Sequence, residues 1–393
     1  MDVETPATQR KDKTASSARR TGRKRKVRYA VIGQGYIAQV AVLPAFAHAN
    51  KNSELVALIS DDPLKLKKLS RDYGVERIAG YDEYDALMTS GEVDAVYIAL
   101  PNHLHLAYTQ RAAHAGVHVL CEKPMAVTEA ECEQMVRACK KQGVKLMIAY
   151  RLHFEKANLT AVEIVKSGKL GEPRIFNSTF TMQVRDADNI RLRQETGGGV
   201  LYDIGVYCIN AARYLFRDEP TEVFAVTARN GERRFSAVEE MASVILRFPD
   251  DRLATFTCSF GAAKASAYDI IGTKGSLRVA PAYAYAEALK HSVTIDGKSR
   301  ERVFPQRDQF APQLLYFSDC ILHDRDPEPS GKEGRVDVRI INALYQSAKT
   351  GQVIALPRMS KRVRPTSRQQ LSRPAVSKPK LVHATPPSGK TWR

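Results

Sequence analysis

No stretch of this 393-residue sequence approaches the roughly 18 to 20 consecutive apolar residues that a membrane span needs. The longest apolar runs, such as Val93 to Pro101, are interrupted and of strand length, so the chain reads as soluble and globular. Cysteine is scarce. Its six positions, Cys121, Cys132, Cys139, Cys208, Cys258 and Cys320, contain no C-x-x-C pair and belong to no His/Cys cluster with zinc spacing. No metal is therefore expected, and the six are read as reduced, mostly buried thiols of a cytoplasmic protein. An apolar h-region is also missing. Arg19-Arg20 is followed by Thr-Gly-Arg-Lys-Arg-Lys, so an export signal is not expected. There is no internal repeat.

Acid is missing from the two ends. Residues 1–28 carry ten Lys/Arg against three Asp/Glu, and residues 358–393 carry ten against none. These tails account for the whole net charge of +17 and leave the body balanced at 40 basic and 40 acidic residues. Both tails, taken as 1–26 and 358–393, are rich in Ser, Thr, Pro and base and poor in periodic apolar residues, so both read as disordered. Any nucleic-acid binding is expected to be weak and confined to them.

What the body does contain is an abrupt alternation of strands and helices. Val27 to Ile32 is a β-branched run leading into Gly33-Gln34-Gly35-Tyr36-Ile37-Ala38 and a helix through about Ala47. Strands follow at Leu55 to Ile59, Ala95 to Leu100, Val117 to Cys121 and Val144 to Ala149, separated by amphipathic helices. This is the pattern of βαβ units in a parallel sheet, expected over 27–150. The second half, 151–357, reads as α+β. Ala242 to Phe248 and Arg252 to Phe260 flank Pro249-Asp250-Asp251 as a hairpin, and Ala254, Phe256, Cys258 and Phe260 alternate with Thr255, Thr257 and Ser259. A largely antiparallel sheet with one covered face is expected, with helices Val200 to Leu215 and Val336 to Thr350 covering it.

Gly33-x-Gly35-x-x-Ala38 opens a helix directly after a strand. The first glycine permits the turn, the second lets the backbone approach a pyrophosphate, and the small third residue packs closely, with the helix N-terminus attracting the phosphate charge. At the tip of the second strand the signals conflict. Ser60 with Lys65 suits the 2′-phosphate of NADP, whereas Asp61 or Asp62 suits the ribose hydroxyl of NAD.

Further along, Cys121-Glu122-Lys123-Pro124 joins Pro101-Asn102-x-x-His105, Gly197-Gly198-Gly199 and Asp203-Ile204-Gly205-Val206-Tyr207. With these motifs the chain, from about Val27 to Leu356, resembles the glucose–fructose oxidoreductase/inositol dehydrogenase/MocA family. Tyr150-Arg151-Leu152-His153, Arg191-Leu192-Arg193 and Asn210 to Leu215 are most similar to glucose–fructose oxidoreductase. The resemblance implies a Rossmann domain followed by an open-faced α+β domain. It also implies Lys123, Asp203 and Tyr207 as catalytic residues, and NADP as cofactor through Ser60 and Lys65, with NAD left open by Asp61. The cofactor set is completed by Gly33, Gly35, Tyr36, Ile37, Ala38, Leu100, Asn102, His105, Glu122, Lys123 and Arg151. Lys123, Arg151, His153, Asp203 and Tyr207 are the substrate candidates.

The chemistry is also legible from residue types. Oxidising a hydroxyl to a carbonyl needs a hydride acceptor, a base and charge to stabilise the alkoxide. Asp203 and Tyr207 lie four apart on an expected helix and so share a face, and glycines 197–199 are expected to leave room for a ligand. A nearby ammonium such as Lys123 would lower the pKa of a tyrosine toward use as a base, and Asp203 could position both. The expected enzyme is an NAD(P)-dependent dehydrogenase of a sugar, at the anomeric carbon of an aldose. The rivals are a diol dehydrogenase or a keto- or anhydro-sugar reductase, and a non-catalytic sensor of dinucleotide and sugar. A homo-oligomer through the C-terminal sheet is expected by analogy with the family.

Overall fold

A computed structural model of the chain describes residues 25–359 and 365–389. The expected N-terminal tail therefore lies almost wholly outside the described residues. Six parallel strands form the first sheet: β1 (Val27–Ile32), β2 (Ser53–Ile59), β3 (Arg77–Ala79), β4 (Ala95–Ile98), β5 (His118–Cys121) and β6 (Leu146–Ile148). Their order is β3-β2-β1-β4-β5-β6, so chain direction across the sheet switches between β1 and β4, the place where open parallel sheets gather ligands. Both faces are covered, which is why β4 is buried at all four positions and reads as a continuous apolar run.

Four helices fill the crossovers: α1 (Leu43–Ala49), α2 (Pro63–Tyr73), α3 (Tyr84–Thr89) and α4 (His105–His114). After β5 comes α5 (Glu129–Lys141), which starts on a capping box between Thr128 and Glu131. α6 (Lys156–Lys166) then leads into the second domain.

The second sheet has nine strands: β7 (Pro173–Thr181), β8 (Glu222–Ala228), β9 (Met241–Phe248), β10 (Arg252–Ser259), β11 (Ala265–Gly272), β12 (Gly275–Val279), β13 (Leu289–Ile295), β14 (Lys298–Phe304) and β15 (Ile354–Ala355). All neighbours are antiparallel except β7 and β10. The expected hairpin joins β9 to β10, and Asp250 and Asp251 both take positive φ (61° and 53°), a conformation that short polar side chains tolerate. Ala254, Phe256 and Cys258 are buried against α7 (Val206–Phe216) and α9 (Gly331–Thr350), as the alternation implies. Strands β11 to β14 were not expected. They carry Thr, Ser, Arg and Lys on an exposed face and lack the clean apolar alternation of β10.

Helix α8 (Ala311–Leu322), from the second half of the chain, returns to cover the Rossmann sheet. Its Leu314 and Phe317 pack with Tyr29 and Phe46, and Ser318 Oγ bonds Tyr29 Oη (2.9 Å) and Ser53 Oγ (2.7 Å). The C-terminal segment, read as disordered, is laid along the protein over 365–389. Leu371 N–H donates to the Phe154 carbonyl (3.3 Å), Arg373 Nε to the His48 carbonyl (3.2 Å), and Val382 is 5% exposed. Composition reports whether a segment has its own apolar periodicity. This one takes its partners singly from distant segments, so composition is blind to it.

Candidate active site

The glycine turn after β1 has the geometry a dinucleotide needs. Gly33 takes φ +86°, and a Cβ there would lie 2.5 Å from the Ala99 carbonyl oxygen, so only glycine fits. A Cβ on Gly35 would meet no protein atom within 4 Å, which leaves that backbone open to the close approach of a phosphate. Ala38 is buried at the start of a π-helical turn, Ala38–Val42, that continues into α1. Tyr36 and Ile37 are half-buried beside it, and Tyr36 stands against Tyr285. At the tip of β2, Ser60 Oγ accepts from the Asp62 N–H (3.2 Å), and Asp62 caps α2 by accepting from the Lys65 N–H (2.9 Å). These residues fit an NAD(P) cofactor.

The chemical cluster lies across the domain junction. Lys123 follows β5, and its Nζ donates to the Asp203 carbonyl (2.8 Å) and to Asp203 Oδ1 (3.3 Å). Asp203 sits in a π-helical turn, Leu201–Gly205, that feeds α7, an irregularity frequent at functional sites. Its Oδ2 accepts from Arg191 Nε at 2.6 Å. Burial opposes ionisation of Asp203, but Arg191 and Lys123 outweigh it and hold the carboxyl at about 2. A folded-state value below the ordinary carboxylate range means that the charge, and the stability it carries, persists through neutral pH and fades only as pH falls toward 2. Burial also opposes the charge on Lys123, yet Tyr207, Asp203 and Glu122 raise its pKa above the ordinary lysine value. Tyr207 opens α7 with its ring between two cations, Lys123 Nζ at 4.8 Å and the Arg151 guanidinium at 4.9 Å from the centroid. Lys123, Arg151, Tyr207 and Asn210 line one narrow cavity.

Several expected residues support the site without facing it. His105 is fully buried, with Nδ1 3.0 Å from the Pro124 carbonyl and Nε2 2.9 Å from the Leu100 carbonyl. It ties the β4 and β5 loops together, and burial lowers its pKa. Asn102 Nδ2 donates to the Gly197 carbonyl (2.8 Å). Glu122 Oε1 accepts from Tyr97 Oη (2.7 Å), and burial raises its pKa against the pull of Lys123. His153 is 1% exposed and lies behind the cavity, donating Nε2–H to Asn210 Oδ1 (2.7 Å), and burial pushes it down to about 4. The ring packs against Tyr150, outside the residues that line the cavity. Gly197 and Gly198 line an open depression with Val127, Tyr202 and Glu239. A Cβ on Gly197, Gly198 or Gly199 would fall 2.3 to 2.8 Å from Val127, Asn102, Arg191 or Tyr345, so glycine there permits close packing of the chain on itself.

Sequence reading missed Arg191 as a site residue; the only signal was its place in the Arg191-Leu192-Arg193 stretch. It also missed Tyr283 and Gln309, which hold Arg151. The Arg151 Nη2 donates to the Tyr283 carbonyl (2.5 Å) and Nη1 to Gln309 Oε1. Among the described residues no three His, Cys, Asp or Glu side chains gather as a metal site.

A doubly covered parallel sheet with a glycine turn at its switch point, joined to a domain that brings Arg191, Asp203 and Tyr207 to its Lys123, defines a two-domain dinucleotide-dependent oxidoreductase. Comparison places it further. Residues 27–150 match the oxidoreductase family with NAD-binding Rossmann fold, and residues 158–278 match the GFO/IDH/MocA C-terminal domain. The chain belongs to the Gfo/Idh/MocA oxidoreductase family. It is 34% identical to D-xylose 1-dehydrogenase [NADP(+)] of Haloarcula marismortui over 336 residues, 84% of this chain and 93% of that protein. It is similar to the crystal structure of aldose-aldose oxidoreductase from Caulobacter crescentus complexed with glycerol (38% identity, TM-score 0.81, 84% of this chain and 100% of the other). A 3-ketoreductase from Actinomadura kijaniata with NADP and TDP-benzene is more distant (27% identity, TM-score 0.75, covering 82% and 98%).

Proposed function

We propose that this protein is an NADP-dependent sugar dehydrogenase that oxidises an aldose at its anomeric carbon. The observation that carries this reading is the Tyr207 phenol held between Lys123 and Arg151, with Lys123 fixed by a carboxylate that is itself fixed by Arg191. Bound at the glycine turn, NADP would supply the acceptor for the hydride lost from the sugar. Tyr207 Oη takes the proton of the sugar hydroxyl, and the two cations stabilise the charge on the oxygens as it leaves. Asp203, itself anchored by Arg191, keeps the Lys123 ammonium in place and charged. In the opposite sense Tyr207 returns the proton to a reduced carbonyl, which suits the likeness to 3-ketoreductases. The xylose dehydrogenase and aldose-aldose oxidoreductase relatives favour an aldose.

The direct test is a panel of aldoses and polyols with NAD and NADP, following the near-ultraviolet absorbance of the reduced cofactor. An aldose with NADP should be the best pair; turnover of keto sugars alone would replace this reading by the reductase one. Lys65→Ala should weaken NADP binding by the roughly 1.5 to 3 kcal/mol typical of a charge-assisted contact and leave NAD nearly unchanged. Equal losses for both dinucleotides would remove Lys65 as a discriminator.

We also read the open sheet face as a contact between copies. Ile175, Val226, Ile245, Leu253 and Ile271 share that face by strand register and are 37 to 55% exposed, an apolar area unusual for a free surface. Ile245→Lys should lower the mass measured by light scattering, and an unchanged mass would count against this face. No helix among the described residues is long and apolar enough to cross a membrane, and all six cysteines are buried and free, which suits a cytoplasmic site of action.

A further inference from the structure

The C-terminal segment bears directly on the conflict at the tip of β2. Neither oxygen of Asp62 is unengaged. Oδ1 accepts from the Lys65 N–H (2.9 Å), while Oδ2 accepts from Nδ1 of His383 (2.7 Å) and lies 4.0 Å from Lys65 Nζ. His383 arrives in a left-handed backbone conformation (φ +45°), which persists only where the surroundings fix it. They do so through its neighbour. The Val382 N–H donates to Gln39 Oε1 and the Val382 carbonyl accepts from Gln39 Nε2, both at 2.8 Å. Gln39 is 1% exposed and also donates to the Gln34 carbonyl (2.9 Å) inside the glycine turn. Farther along, the Pro387 carbonyl accepts from the Arg185 N–H (3.2 Å), so residues 383–387 cross from the Rossmann domain to the second domain. Asp61, Asp62, Lys65, Lys67 and His383 line a single depression there.

We propose that His383 sets dinucleotide selectivity: by engaging Asp62 it removes a carboxylate that would otherwise hold the ribose hydroxyl of NAD, and with Lys65 it receives the 2′-phosphate of NADP. The proposal rests on the NADP reading above. A free aspartate at this strand tip accepts from a ribose hydroxyl and repels a phosphate, whereas a carboxylate tied to a histidine and an adjacent lysine does neither well. The selectivity of the Rossmann domain would then reside partly in a segment more than 300 residues away in sequence.

The test is calorimetric titration of the full chain with NADP and with NAD. His383→Ala should weaken NADP binding about 5- to 20-fold, within the range of a partly exposed charge-assisted contact, and leave NAD unchanged or tighter. Adding Asp62→Asn should restore most of the NADP affinity, because asparagine keeps the helix cap without the charge. A merely structural segment would weaken both dinucleotides alike and show no such rescue; that result, or unchanged NADP affinity in His383→Ala, would overturn the proposal. If the unaltered chain binds neither dinucleotide or prefers NAD, the cofactor reading fails first and this proposal with it.

Discussion

Tyr207→Phe should lower kcat by about 10²- to 10⁴-fold while dinucleotide affinity stays close to that of the unaltered enzyme. The change removes one oxygen and keeps a ring that packs against Phe180 and Tyr283 (centroids at 5.6 and 5.9 Å), so the wall of the cavity survives. What goes is the atom that accepts the sugar proton. Lys123→Met should reproduce much of the loss, since the ammonium 4.8 Å from that ring is held there by Asp203 and through it by Arg191. The double variant should be little worse than the worse single one, because groups that act as a unit are not additive. Steady-state rates on the best sugar, with cofactor titration alongside, would check all three. A Tyr207→Phe enzyme of near-unaltered kcat would return the tyrosine to a packing role and leave only the dinucleotide groove.

The second large effect is on stability. Arg213 is buried in α7 with Nε on Glu219 (2.6 Å) and Nη1 on Asp337 (2.5 Å) and Glu333 (2.9 Å). Asn210 links this cluster to His153 and so to the back of the cavity. Arg213→Met would leave three carboxylates together without that guanidinium, and removing one side of a buried ion cluster typically costs about 3 to 5 kcal/mol. Burial already pushes Asp337 up to about 6, although Arg213 pulls the other way. A carboxyl raised in the folded state opposes folding increasingly as pH climbs from the ordinary carboxylate value, about 4, toward its folded value, so protonation relieves the strain. The loss in Arg213→Met should therefore be largest at neutral pH and shrink in mild acid. Urea unfolding at the two pH values would show it. A loss under about 1 kcal/mol at neutral pH would mean that the cluster is held by something other than this cation.

By itself the sequence determined what depends on neighbours along the chain. The glycine turn, the strand–helix alternation, the β9–β10 hairpin and the four-residue spacing of Asp203 and Tyr207 are local patterns, and each recurs in the structure because backbone sterics and periodic burial act over a few residues. Resemblance then singled out Lys123. Tertiary structure decided which polar groups meet. It brought Arg191 and Lys123 to Asp203 across separations of 12 and 80 residues, and turned His105 and His153 inward. It packed the 197–199 glycines closely against protein, laid residues 365–389 across both domains, and gave Asp62 a partner 321 positions away. Charge pairing and burial depend on distance in space, and no local pattern encodes which remote segment will arrive to satisfy a carboxylate.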